Sequence, residues 1–288
     1  MAKDTFFQKK ATLNAGGKLI NLSTPQVMGI INLTPDSFYK DSRKTEIDPI
    51  LKQAEKMLAE GAAFLDLGAY SSRPGAEDIS IQQEMDRLLP AVEAVAKAFP
   101  QAVLSIDTFR ADVAASAISA GGHIINDISG GELDKEMFAT VAKLQVPYIL
   151  MHMRGTPQNM VQQTEYDDVF AEVYAYFVQK IYRLKQLGVH DIIIDPGFGF
   201  AKKQEQSYAL MNRLQEFEAL QLPVLAGVSR KRMIYNLLGT TAEEALNGTT
   251  ALNTIALTKG ANILRVHDVK EAVEAVKIMM ACNQDKDK

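Results

Sequence analysis

The chain has 288 residues, 47% of them hydrophobic, a single cysteine and a formal net charge of −4. With no basic block and no aromatic-interleaved basic patch, that balance excludes a general nucleic-acid surface, and a lone Cys282 excludes an internal disulfide or a cysteine zinc cage. No apolar run approaches the roughly 20 residues of a membrane span, and MAKDTFFQKK lacks an apolar signal core, so no membrane partner and a cytoplasmic location are expected.

In chain order, Ala11 to Ser23 reads as a small hairpin turning at Asn14-Ala15-Gly16-Gly17, placed to plug the bottom of the main fold. Val27 to Ile31 is a buried strand ending on Asn32, and helical periodicity follows from Asp48 to Glu60. The pattern repeats as Phe64 to Gly68, a loop and a helix from Ile81 to Ala98. Val103 to Ile106 then ends on Asp107, with a helix through Ala120. His123 to Ile125 ends on Asn126 and Asp127; Val146 to Met151 ends on His152, with a long loop and a helix from Tyr166 to Leu187. Ile192, Ile193 and Ile194 form a β-branched run covered on both faces, stopped by Asp195-Pro196 and opened by Gly197 and Gly199. Pro223 to Val228 ends on Ser229-Arg230-Lys231, helices are expected over Arg230 to Leu238 and Ala242 to Lys259, and Asn262 to Leu264 ends on Arg265, Val266 and His267.

Eight strand-then-helix units predict an α/β fold, a (β/α)₈ barrel forming one domain over Val27 to Met280, with a short N-terminal hairpin and a frayed tail from Asn283 to Lys288. Barrels of this kind carry their chemistry at the C-terminal ends of the strands, so Asn32, Asp107, Asn126, His152, Asp195, Lys231, Arg265 and His267 are expected to ring one mouth. Each also has a plainer reading. A strand-end aspartate often caps the next helix, His267 fits a core histidine bonded to a carbonyl, and Asn32 fits a turn before Thr34-Pro35.

MGIINLTPDSF at 28–38, SSRPGA at 71–76, SIDT at 105–108, HIINDI at 123–128, LMHMRGTP at 150–157, DPGFGF at 195–200, VSRKRMI at 228–234 and RVHDV at 265–269 resemble, in order, the motifs of the dihydropteroate synthase family. The resemblance implies a transferase of folate biosynthesis, a sulfonamide target and commonly a homodimer. It implies that 6-hydroxymethyl-7,8-dihydropterin pyrophosphate condenses with p-aminobenzoate, with Mg²⁺, by an SN1-like displacement that needs no protein nucleophile. It assigns Asp107, Asn126, Met151, Asp195, Lys231 and Arg265 to the pterin, and Asn32, Arg265 and His267 to the pyrophosphate, with Asn32 as the metal contact.

Those residue types suit that chemistry. A pterin edge presents ring and exocyclic N–H donors, which Asp107 and Asp195 can accept, and a carbonyl, to which Lys231 can donate; Asn126 can do both. Arg265 and His267, with a D-x-x-E helix start at Asp268 and Glu271, offer a seat for an anion. For p-aminobenzoate, Phe38, Pro74 and Phe200 offer apolar walls. Ser229 is expected to cap a helix beginning at Arg230 and so to present backbone N–H groups beside Lys231, while Ser72 and Arg73 lie on the second loop. Phe38 and Phe200 equally fit packing at the barrel rim.

The chain departs from the family pattern twice. Ala69-Tyr70-Ser71-Ser72 stands where Gly-Glu-Ser-Thr is usual, and SFYKDSR displaces Asp41 by one position. Three other readings remain open on the sequence: a methyltetrahydrofolate-binding methyltransferase barrel, a Schiff-base aldolase using Lys231, and a non-catalytic pterin-binding protein.

Overall fold

The computed structural model describes residues 12–33, 43–71 and 78–283, with side chains of the first helix from residue 47 onward. Two short antiparallel strands, β1 (Thr12–Ala15) and β2 (Lys18–Asn21), form the expected hairpin, with the turn at Gly16 and Gly17, both at positive φ (61° and 84°). The barrel strands are β3 (Gln26–Asn32), β4 (Phe64–Gly68), β5 (Val103–Asp107), β6 (Ile124–Asp127), β7 (Tyr148–Met151), β8 (Ile192–Asp195), β9 (Leu225–Ala226) and β10 (Ile263–Val266). The helices are α1 (Arg43–Ala59), α2 (Ile81–Ala98), α3 (Ala111–Ser119), α4 (Met137–Leu144), α5 (Val169–Gln186), α6 (Gln204–Asn212), α7 (Arg232–Leu238), α8 (Leu246–Thr258) and α9 (Val269–Asn283).

Every neighbouring barrel pair is parallel, in the order β8-β7-β6-β5-β4-β3-β10-β9. The ring closes through a bridge between Ile194 and Val224, where the Ile194 N–H donates to the Pro223 carbonyl at 2.9 Å. This is a TIM barrel, as expected.

Several boundaries differ from the sequence reading. The seventh strand shrinks from Pro223–Val228 to two residues, because the Val224 carbonyl is taken by the N–H groups of Asn262 (2.8 Å) and Ile263 (3.1 Å) and Gly227 opens the chain toward the mouth. Two connections with no helix predicted hold α4 and α6, which are eight and nine residues long and too short to give a clear period. Asn283 ends α9 rather than starting a frayed tail; 284–288 lie outside the described residues.

Strand alternation builds the barrel interior in layers. The lowest is apolar: Met28, Phe64, Val103, Ile124, Ile149, Ile193, Leu225 and Ile263 cluster with Leu13, Ala15 and Leu22 of the hairpin, which stoppers that end as predicted. Two residues further along each strand, the inward positions are Ile30, Asp66, Ser105, Asn126, Met151, Asp195, Gly227 and Arg265. A single pleat repeat therefore separates the plug from the polar floor of the mouth.

Candidate active site

Asp66 organises the polar floor. It is fully buried on β4 and accepts from Arg265 Nε at 2.6 Å and from Asn126 Nδ2 at 3.1 Å. Arg265 Nη2 lies 2.6 Å from both Asp66 Oδ2 and Asp107 Oδ2, so one guanidinium ties β4, β5 and β10 together. Asp66 was not singled out in the sequence, although counting two residues on from the plug residue Phe64 finds it, as the same count from Ile124 and Ile193 finds Asn126 and Asp195.

Asp107 is not the cap of α3. That cap position is Arg110, and the Ala111 N–H is taken by Asp134 Oδ2 at 2.8 Å. Thr108 donates instead to the buried Glu84 (2.7 Å), which also holds Arg110 Nη1 at 2.8 Å. Gly68 makes room for Asp107, since a Cβ there would sit 3.0 Å from the Asp107 Cβ. Burial pushes the Asp107 carboxyl above its usual range; Arg265 opposes this, while Asp66, Glu84 and Asp127 add to it.

Asp195 and Lys231 stand on either side of Gly227, where an added Cβ would lie 3.8 Å from Asp195 Oδ2 and from Lys231 Nζ. Burial raises Asp195, against Lys231, the Gly197 N–H at 2.8 Å and Arg265. Burial also lowers Lys231, to about 8, with Asp195 resisting and Arg265 assisting. Lys231 Nζ donates to the Phe198 carbonyl at 2.8 Å and lies 4.7 Å from the centre of the Phe200 ring. For Arg265, the carboxylates of Asp66 and Asp107 outweigh burial, so it stays cationic above its ordinary value. Its Nη1 makes no hydrogen bond among the described residues.

Met151 is buried in an apolar patch with Phe109, Ile128, Met153, Met160 and Ala201, against which Tyr70 and Phe200 pack. This patch supplies a flat-ring surface beside the polar floor. Asn32 is exposed at the end of β3 and His267 just past β10. Met151, Asn126, Asp107, Asp195, Lys231 and Arg265 are thus brought to one end of the barrel, with Asn32 and His267 at its rim. Phe38, Ser72, Arg73, Pro74 and Asp41 lie outside the described residues.

Two expectations need correction. Ser229 does not cap the following helix, because Arg230 takes a positive φ of 54° and α7 begins only at Arg232, with Lys231 at its cap position. Its hydroxyl instead accepts the His267 N–H (3.2 Å) and pairs with His267 Nδ1 (3.0 Å). The last helix starts at Val269, where the D-x-x-E pattern of Asp268 and Glu271 put it, and the Asp268 carboxylate is gripped by Arg230 through Nε and Nη2, both at 2.9 Å. His152 does not join the mouth. It has opposite parity to Met151, is buried, and pairs with Lys202 behind the loop that follows β8.

The departure at Tyr70 has a defined setting. Its hydroxyl donates to Asp78 (3.1 Å) and accepts from Gln158 (2.8 Å), and its ring meets Phe109 edge-on at 4.8 Å.

A family profile described as pterin binding enzyme matches residues 28–267. The dihydropteroate synthase of Escherichia coli strain K12 is 42% identical over 271 residues, spanning 93% of this chain and 95% of that one. A dihydropteroate synthase structure from Xanthomonas albilineans with 4-aminobenzoic acid superposes with a TM-score of 0.89 at 36% identity, covering 95% and 98% of the two chains. A second, in complex with 7,8-dihydropteroate, gives 0.85 at 34% identity over 95% and 99%. Matched across nearly its whole length in sequence and in fold, the chain belongs to the pterin-binding enzymes, among the dihydropteroate synthases.

Proposed function

We propose that this enzyme condenses 6-hydroxymethyl-7,8-dihydropterin pyrophosphate with p-aminobenzoate, giving 7,8-dihydropteroate and pyrophosphate in folate biosynthesis. The observation that carries the proposal is the convergence of Asp107, Asn126, Asp195 and Lys231 with the Asp66–Arg265 bridge on one buried polar floor beside an apolar wall. Asp195 and Asp107 accept from the pterin amino-pyrimidinone edge, Lys231 donates to its carbonyl, and Met151 and the stem of Arg265 cover the ring. Asn126 is already turned toward Asp66, so its amide oxygen is aimed by that hydrogen bond.

The C–O bond to pyrophosphate breaks with its electron pair leaving on the anion, and the carboxylates beside the ring stabilise the pterin-methyl cation. The neutral aryl amine then adds its lone pair to the methylene and releases a proton to solvent or to the departing anion. No side chain forms a bond to substrate. Arg265 Nη1 and His267, whose ring is held by Ser229, face the phosphate end. Phe200, with the Lys231 ammonium 4.7 Å from its ring centre, lines the aminobenzoate side.

A divalent cation would take the exposed Asn32 amide as a protein ligand alongside substrate phosphate oxygens and water. Mg²⁺ bound in that way would neutralise charge on the leaving pyrophosphate.

Pyrophosphate release from the dihydropterin pyrophosphate, measured with and without p-aminobenzoate, tests the reading. Release that depends on the amine and matches dihydropteroate formed is expected. Pterin binding with no release, methyl transfer to a corrinoid, or borohydride trapping of substrate on Lys231 would each contradict it.

A cytoplasmic homodimer is part of the same proposal. Leu237 and Leu238 on α7, Ile255 on α8 and Ile278 on α9 are exposed apolar side chains on the last helices, and no described helix is long and apolar enough to cross a membrane. Light scattering at micromolar concentration would give twice the chain mass.

A further inference from the structure

We propose that Lys202, with His152 as its acceptor, is a positioning residue for this reaction, an internal pin that sets the loop after β8 and through it the placement of Lys231 and the charge on Asp195. The proposal rests on the pterin-binding role given above to those two residues.

The loop cannot hold its shape by itself. Gly197, Gly199 and Ala201 all take positive φ (68°, 79° and 49°), and the last of these carries a Cβ. Gly197 also comes so close to β7 that a Cβ would meet the His152 carbonyl at 2.1 Å. Lys202 fills the inside of this turn and is only 8% exposed. Its Nζ meets four acceptors: His152 Nδ1 at 2.9 Å, the carbonyls of Gly197 and Phe200 at 3.0 Å, and the His152 carbonyl at 3.3 Å. From outside, Tyr166 Oη donates to the Ala201 carbonyl at 2.9 Å.

Three carbonyls that can only accept, with His152 Nδ1 beside them, favour the ammonium, against burial, which pulls the Lys202 pKa well below the ordinary lysine value. The histidine suits the role. Burial, with Lys202 and Arg154 nearby, holds it far below its usual titration range, so the ring is neutral, and the tautomer protonated on Nε2 leaves the Nδ1 lone pair to the lysine; Tyr176 packs edge-on against the ring at 4.8 Å.

What the pinned segment delivers is the reacting site. Its Gly197 N–H bonds Asp195, its Phe198 carbonyl receives Lys231, and its Phe200 ring lies over Lys231. Desolvation lowers the Lys202 pKa well below the ordinary lysine value, with Asp195 resisting and Lys231 and Arg154 adding to it. In return, against the burial that raises Asp195, the protonated Lys202 adds to Lys231, the Gly197 N–H and Arg265 in favouring the carboxylate. A residue that served only to stabilise the fold would not move the titration of Asp195.

The test uses full-length protein, with Asp195 followed by its carboxyl carbon resonance against pH in the apo state and 6-hydroxymethylpterin binding followed by calorimetry. Lys202→Met keeps the stem and deletes the charge. It is expected to move the Asp195 midpoint upward by at least about half a unit and to weaken pterin binding about fivefold or more. His152→Asn, which preserves an acceptor near Nδ1, retains the wild-type midpoint, whereas His152→Leu moves it in the direction of Lys202→Met. An unchanged midpoint in folded Lys202→Met overturns the proposal; if that variant does not fold, an unchanged midpoint in His152→Leu does so. Wild-type protein that fails to bind pterin would defeat the functional reading instead, leaving the apo titration to decide the role of Lys202.

Discussion

The two ends of this barrel are built from the same strands and differ by one pleat repeat. At the bottom, eight inward side chains meet Leu13, Ala15 and Leu22 in an apolar seal; two residues on, the inward positions hold Asp66, Asn126, Asp195 and Arg265. The bottom gains by burying carbon and the top by keeping charges paired, and buried pairs add little net stability while breaking them is expensive. Stability and recognition are thus separated along the strand axis.

That contrast is broken most severely from below. Phe64→Ala removes a fully buried ring and is expected to cost about 3–5 kcal/mol of unfolding free energy, while KM for both substrates, measured where the variant is still folded, stays at wild-type values. Asp66→Asn, one repeat higher, inverts the outcome. It leaves Arg265 with one carboxylate, and pyrophosphate release is expected to fall about 100-fold, some 2.7 kcal/mol, with a smaller loss in thermal midpoint. If the two substitutions gave matching profiles, the division between the ends would be wrong.

Titration sharpens the contrast further. Lys231, brought down to about 8 by burial, loses its proton as pH rises through that value, so kcat/KM for the pterin substrate falls on the alkaline side. Asp195 and Asp107 are raised by burial, so the acid limb, where the carboxylates regain protons, lies above the ordinary carboxylate range. The profile is accordingly a narrow bell. A plateau extending well past pH 9 would contradict the placement of Lys231 beneath Phe200.

The smallest effect belongs to the bottom. His123 Nδ1 accepts the Leu104 N–H at 3.2 Å, and burial, with Lys18 nearby, keeps its pKa below the ordinary histidine value. The unfolded chain therefore binds the extra proton first, so the full stability holds above the unfolded histidine pKa of about 6.5 and declines as pH falls below it. His123→Gln is expected to flatten that decline by less than about 1 kcal/mol, because the site is half open to solvent. Thermal midpoints at pH 5 and pH 7.5 would show it, with no change in KM.

Much of the site was legible because strand-end motifs are local. SIDT, HIIND and DPGFGF each pair an apolar run with a polar stop, and Asp107, Asn126 and Asp195 follow from them. Asp66 escaped notice because it sits inside a strand, where only alignment with the plug layer reveals which way it points. His152 was grouped with the mouth by proximity in sequence, yet it follows the inward Met151 and so faces outward, as Asp127 does after Asn126, held there by Tyr148 at 2.6 Å. Lys202 gave no sign, since two adjacent lysines after a glycine-rich turn read as solvated. Lys203 is indeed exposed, paired with Glu165, while Lys202 is folded inward. The role given to Ser229 failed on a single backbone angle, at Arg230, that no pattern announces.

The central claim is that a heterocycle is read by the acids and lysine of the polar floor, and calorimetric titration of 6-hydroxymethylpterin into wild-type and Asp195→Asn protein tests it directly. The account predicts at least about tenfold weaker binding in the variant with an unaltered thermal midpoint. Equal affinity in a folded Asp195→Asn protein would place pterin recognition elsewhere.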